Sequence, residues 1–152
     1  METIQKEEFY VVGISVRTSN ENQRAKEDIP MLWGQFMSKD MKKLINNRVD
    51  DTICAVYTNY ESDHTKPYDT VLGFRVTDLE NIPEEMVGIT IKGSSYQKFV
   101  AQGDLTKDVV IDKWKEIWQM DLKREYTADF ELYGEKAMDP SNGEVEIFIA
   151  VA

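Results

Sequence analysis

Two stretches of this chain carry the same apolar helix face at matching places in a run of strands. Ile29, Leu32, Trp33, Phe36 and Met37 recur at the three-and-four spacing of a helix, and so do Val109, Val110, Trp114, Ile117 and Trp118. Each helix follows a β-rich run, Phe9–Arg17 in one case and Tyr96–Ala101 in the other, and each precedes two more. Those later runs are Thr52–Tyr60 and Thr70–Thr77 in the first half, and Tyr126–Tyr133 and Glu144–Val151 in the second. Tyr60-Glu61 aligns with Phe130-Glu131 in this scheme. The pattern reads β-α-β-β twice, over about 7–80 and 86–152, within a single domain spanning 1–152. A β-α-β-β unit covers only one sheet face with its helix. Two units that join sheets give an α+β fold: one curved antiparallel sheet, two main helices and a central cleft between the halves.

Finer expectations follow. Met1–Glu8 reads as a polar lead-in and Gly13 as a bulge within the first strand. The polar stretch Thr18–Asp28 begins the first helix, with Asp28 before Pro30 marking a fresh start or a kink. Met41, Leu44 and Ile45 continue that helix past Ser38. Val87–Lys92 is a short β-like connector, and Glu61–Tyr68 is a polar loop.

Composition narrows the chemistry. Among 152 residues there are 18 Lys and Arg against 28 Asp and Glu, a formal charge of −10, so phosphate-led binding of nucleic acid is disfavoured. One Cys and one His exclude an internal disulfide, a multi-Cys zinc site and HExxH. No phosphate-binding glycine loop, GxGxxG or GxSxG occurs, so no cofactor or metal is expected. Ile147–Ala152 is the longest apolar run, far below the ~20 residues that span a bilayer, so no membrane association is expected. With no apolar leader and a single thiol, the chain reads as cytoplasmic.

Few residues are left to carry function. Cys54 sits inside an apolar strand and reads as inert core. His64 lies in Glu61-Ser62-Asp63-His64-Thr65-Lys66, where it reads as a solvated or turn-capping residue. Alternation in Asp129-Phe130-Glu131-Leu132-Tyr133 sends Phe130 and Leu132 to one face and the two acids and Tyr133 to the other, which is solvent or a groove. Trp33, Phe36, Trp114 and Trp118 on helix faces suit a core, whereas the many tyrosines suit a wet groove. An acid among aromatic rings is a recipe for holding a lipophilic cation, by cation–π attraction and a partly desolvated carboxylate.

The ordered set Ile29-Pro30-x-Leu32-Trp33-x-x-Phe36, Tyr57-x-x-Tyr60-Glu61, Tyr68-x-x-x-Leu72-Gly73 and Asp129-Phe130-Glu131-Leu132-Tyr133 resembles the GyrI-like effector-binding domains. That family includes ligand domains of AraC-type and MerR-type activators and cationic-drug-binding proteins of integron cassettes. Tyr60–Tyr68 looks most like the cassette members. The resemblance implies a duplicated strand-helix-strand-strand fold with a ligand cleft, and implies that Glu131 faces it and pairs with cations. It carries Trp33, Phe36, Tyr60, Glu61, Tyr68, Trp114 and Trp118 along as weaker ligand-binding candidates. Family activators join this domain to a helix-turn-helix reader. With a first strand at Phe9, the chain is expected to be a stand-alone protein or an excised domain.

The leading expectation is a module that binds amphipathic cationic compounds, as a sensor or a sequestering protein. A second reading is a hydrolase of strained electrophilic toxins, with Glu131 as base and Tyr60, Tyr68 or Tyr133 as acid. A third is a protein-interaction module of gyrase-inhibitor type. The architecture also leaves open a homodimer through a strand edge.

Overall fold

The computed structural model describes residues 2–21 and 24–152. Asn22 and Gln23, within the stretch expected to begin the first helix, lie outside the described residues, as does Met1 of the lead-in. The chain runs β1 (Glu2–Lys6), β2 (Phe9–Thr18), α1 (Arg24–Met37), α2 (Met41–Leu44), β3 (Arg48–Thr58), β4 (Tyr68–Val76), β5 (Val87–Ile91), β6 (Ser94–Gly103), α3 (Val109–Trp118), β7 (Ala128–Tyr133) and β8 (Gly143–Val151). The strands form one antiparallel sheet in the order β1-β6-β8-β7-β3-β4-β2-β5. The fold is α+β, with the sheet curled into a half-barrel.

Sheet order explains the duplication. Strands β2-β4-β3 and β6-β8-β7 are the same three-strand unit, joined back to back where β3 pairs with β7. The lead-in is not a tail: β1 pairs with β6, in the other half, and β5 pairs with β2 in the first. Each half therefore lends an extra strand to its neighbour's edge. The alternating polar sequence of β1, Glu-Thr-Ile-Gln-Lys, suits an edge strand and hid it in the sequence pattern.

The two sheet faces are covered in different ways. Val11, Cys54, Val56, Ile91, Tyr96, Phe130 and Phe148 form one cluster, which takes in strands from both ends of the sheet. A cluster shared by distant strands requires the sheet to curl toward that face. Burial there pushes the Cys54 thiol up to about 12, in keeping with inert core. The opposite face takes the helices. Leu32 and Phe36 of α1 cover Val12, Ala55, Leu72 and Phe74, while Trp114 and Ile117 of α3 cover Phe99, Ala101, Val145 and Ile147. The two helices sit over separate halves and leave the central strands between them uncovered by helix. Among the described residues, no helix is long and apolar enough to cross a membrane.

Three local expectations change. The first helix stops at Met37, and α2 is a separate turn capped by Asp40, whose carboxylate accepts from the Lys43 amide. Helix α1 runs through Pro30 rather than restarting there. Gly13 is not a bulge: it pairs in unbroken register with Gly73, and the register shift falls in β3 between Arg48 and Ile53. A Cβ on Gly13 would lie 1.9 Å from the Leu72 carbonyl oxygen, and one on Gly73 1.9 Å from that of Val12. The paired glycines let β2 and β4 approach more closely than side chains permit. Gly13→Ala should therefore lower stability by about 3 kcal/mol or more and Tm by roughly 10 °C in a thermal melt. A neutral Gly13→Ala would show that the strands can part without cost.

Candidate functional site

Helices α1 and α3 stand apart over the seam strands and enclose a cavity of about 600 Å³. Ile29, Pro30 and Trp33 form its α1 wall, and Val110, Trp114 and Trp118 its α3 wall. Tyr57 of β3, Tyr68 of β4, and Glu131 and Tyr133 of β7 make the floor. The loop after β3 closes one end with Tyr60 and His64.

Glu131 is the polar centre. It sits mid-strand on β7, between Ala55 of β3 and Ile147 of β8, and is only 1% exposed. The face that alternation left as solvent or groove carries the cavity floor and is shielded from bulk solvent. Three donors converge on the carboxylate. Oε1 accepts from the Tyr57 hydroxyl at 3.0 Å and the Tyr133 hydroxyl at 2.8 Å, and Oε2 accepts from the Trp114 indole N–H at 2.5 Å. An indole N–H only donates, so Oε2 must remain an acceptor. Among the described residues, no cation pairs with this carboxylate. Burial raises its pKa, and the three donors pull it back in part. Burial and the neighbouring carboxylate push the Tyr57 and Tyr133 hydroxyls well above their usual value, so both stay protonated donors.

Asp129, two residues back on the same face, has a different environment. It is 0% exposed and accepts from the Arg124 guanidinium at 2.7 Å, the Tyr60 hydroxyl at 2.6 Å and the Ala150 amide at 2.9 Å. Burial raises its pKa, opposed by Arg124, Tyr60 and Ala150. Arg124 also lies over the Tyr126 ring, 4.3 Å from its centroid. One acid is thus ion-paired and the other is held by neutral donors alone.

The candidate residues separate clearly. Trp33, Tyr60, Tyr68, Trp114, Trp118 and Glu131 all line the cavity. Phe36 does not: at 3% exposed it packs under α1 against Phe74, with ring centroids 5.7 Å apart. Glu61 does not either. Strand β3 ends at Thr58, so Glu61 stands in the solvent-facing turn closed by its amide on the Pro67 carbonyl. The alignment of Tyr60-Glu61 with Phe130-Glu131 therefore fails, because Glu61 lies beyond the end of β3 whereas Glu131 sits inside β7. Of the tyrosines considered as an acid, only Tyr133 bonds Glu131. Tyr60 serves Asp129, and Tyr68 donates to Asn20 at 2.9 Å.

His64 is not simply solvated: its ring stacks on Trp118, with centroids 5.3 Å apart and planes 8° from parallel. Asn20 anchors the same loop by donating to the His64 carbonyl at 2.7 Å. Asn20 and Arg124 had no distinguishing pattern, whereas Tyr57 stood in the motif Tyr57-x-x-Tyr60-Glu61 without being singled out. Among the described residues, no group of His, Cys, Asp and Glu could hold a metal ion.

Comparison with known proteins matches this arrangement to a family. The model of Cass2, the integron-associated effector binding protein, matches residues 2–151. The chain belongs to that family. It is 34% identical over 143 residues, 91% of the chain and 89% of the relative, to YobU of Bacillus subtilis (strain 168), whose name marks it a candidate transcriptional regulator. The integron cassette protein VCH_CASS2, from the mobile metagenome of Vibrio cholerae, is similar with a TM-score of 0.77 and 34% identity over 99% of this chain and 95% of its own. SAV2435, solved bound to tetraphenylphosphonium, shares the fold, with a TM-score of 0.79 and 21% identity over 99% of this chain and 93% of its own. The Cass2 family is one of effector binding, and the cavity is where this member has room for a small molecule.

Titration of Glu131 provides a check on its burial. The folded carboxyl keeps its proton to higher pH than the unfolded one. The unfolded state thus ionises first, and the Glu131 contribution to stability falls as pH rises above the ordinary value of 4.5. Urea denaturation of wild type and Glu131→Gln, followed upward from just below pH 4.5, should show the variant gaining on wild type as pH rises past that value. A difference that stays flat across that range would contradict a desolvated carboxyl.

Proposed function

We propose that the protein binds amphipathic cationic small molecules in the cavity between α1 and α3, with the Glu131 carboxylate as counter-ion, and acts as a sensor or a sequestering module. The observation that carries this reading is the buried Glu131 carboxylate, held by three neutral donors with no cation beside it among the described residues. A carboxylate removed from water retains part of its desolvation cost when only dipoles face it. A cation arriving within about 4 Å would recover on the order of 4 kcal/mol at the effective dielectric of a protein site. Rings of Trp33, Tyr57, Trp114 and Tyr133 around the same space offer area and negative π-faces to an apolar cation. Rings and one charge hold a ligand without a strict shape, which suits a range of compounds.

Similarity supports the reading from two directions. SAV2435, which shares the fold, is described bound to tetraphenylphosphonium, a lipophilic cation. YobU, named as a candidate regulator, and the effector-binding family point to ligand capture rather than turnover.

The test is binding of tetraphenylphosphonium, followed by quenching of tryptophan fluorescence and by calorimetry. Wild type should bind, and Glu131→Gln should weaken binding roughly 10- to 100-fold, as loss of a charged partner does. Equal affinity in both proteins would remove Glu131 from the site.

A further inference from the structure

The cavity wall holds a second polar feature that a simple lipophilic cation leaves unused. Six buried side-chain nitrogen and oxygen atoms lack a partner among the described residues, and three of them, Arg124 Nε, Arg124 Nη1 and His64 Nδ1, belong to two residues of this wall. The Arg124 side chain is 5% exposed, and its Nη2 is committed to Asp129. The Tyr126 ring beneath the guanidinium attracts its charge but gives its in-plane donors no acceptor. Buried donors without acceptors carry an unrecovered desolvation cost. Arg124 and His64 belong to one end of the cavity: Tyr60, from the loop that carries His64, meets Arg124 on the same oxygen of Asp129.

That end lies at a defined place relative to Glu131. Arg124 grips Asp129, two residues from Glu131 on the same strand face, a separation of about 7 Å. The rim adds a bias. Charged residues on the wall are Lys26, Lys107, Lys115 and Arg124 against Asp108 and Glu131, so an acidic protein shows a basic rim to the cavity. A featureless cation gains nothing from that rim. A ligand with an electron-rich oxygen at one end gains twice.

We propose that the cavity is bipolar and selects amphipathic cations that also carry an oxygen acceptor, a carbonyl or carboxylate, with the cationic centre at Glu131 and the oxygen at the Arg124–His64 end. This rests on the proposed cation site and adds a second recognition point to it. His64 carries Nδ1–H in one tautomer and Arg124 carries two N–H groups, all closed to solvent here, so the ligand oxygen meets them as the His64 loop shifts to admit it. Asp129 already balances the arginine charge, so this end offers hydrogen bonds, and the lysine rim supplies the net positive field.

Three probes separate these contributions: pentyl-triphenylphosphonium, its carbamoylbutyl analogue and its carboxybutyl analogue. Calorimetry on the full chain should find both oxygen-bearing probes binding wild type roughly tenfold tighter than the pentyl probe, the gain of one or two buried hydrogen bonds. A further gain for the carboxylate over the carboxamide, lost in high salt, would report the lysine rim. The readout in variants is the ratio of affinities within one protein, which cancels general loosening of the site. Arg124→Lys keeps a cation for Asp129 and removes the two orphan donors, and His64→Phe keeps the stack on Trp118 and removes the ring nitrogens. In each the ratio should fall toward one, and a ratio unchanged in both would overturn the assignment to these residues. Equal binding of all three probes by wild type overturns the bipolar site and leaves the cation site standing. Binding of none overturns both.

Discussion

Antiparallel pairing of β3 with β7 is the constraint on which the site depends. It joins two copies of one small unit into a single sheet, and it lays the seam between two helices that each belong to their own half. Helix α1 and helix α3 are anchored by apolar faces over different strands. Neither can slide over the seam without exposing that face. The space above β3 and β7 is left open because both helices are satisfied elsewhere. Glu131 occupies the middle of this floor, and Ala55 opposite it contributes almost no bulk.

Burying a carboxylate in such a place requires several supports acting together. Tyr57 comes from one half of the fold, Tyr133 and Trp114 from the other, and all three donate to the same group. The site is thus built across the duplication rather than inside either copy. Strand exchange at the sheet edges, β1 onto the second half and β5 onto the first, ties the halves further and resists opening of the seam. Asp129 shows the alternative outcome for a buried acid on the same strand. With Arg124 it forms a closed ion pair, and its charge is unavailable to a ligand. Two acids two residues apart therefore sit in different environments: among the described residues, one faces a guanidinium and the other only dipoles.

The loop between β3 and β4 links these parts. His64 reaches from the first half to Trp118 on α3, while Asn20 and Tyr68 hold the loop from below. Its polar sequence suited a solvated turn, and most of it is one. The single imidazole is the exception, since stacking on an indole hides much of its area from water.

The order of strands and helices, the doubling, the antiparallel α+β class and the face shared by Asp129, Glu131 and Tyr133 could all be read from the sequence. Each is a consequence of local periodicity: apolar residues at helical spacing demand a sheet to cover, and alternation sorts a strand into two faces. Family resemblance then singled out Glu131. Pairing between distant strands was beyond local pattern. Tertiary structure decided that Glu61 falls beyond β3 while Glu131 sits inside β7, that Phe36 turns into the core while Trp33 reaches the cavity, and that polar β1 completes the far edge of the sheet. It also brought Tyr57, Arg124 and His64 to the wall. Sequence periodicity determines which way a side chain points, but which other side chain it meets depends on strand partners far along the chain, and only the folded sheet sets those.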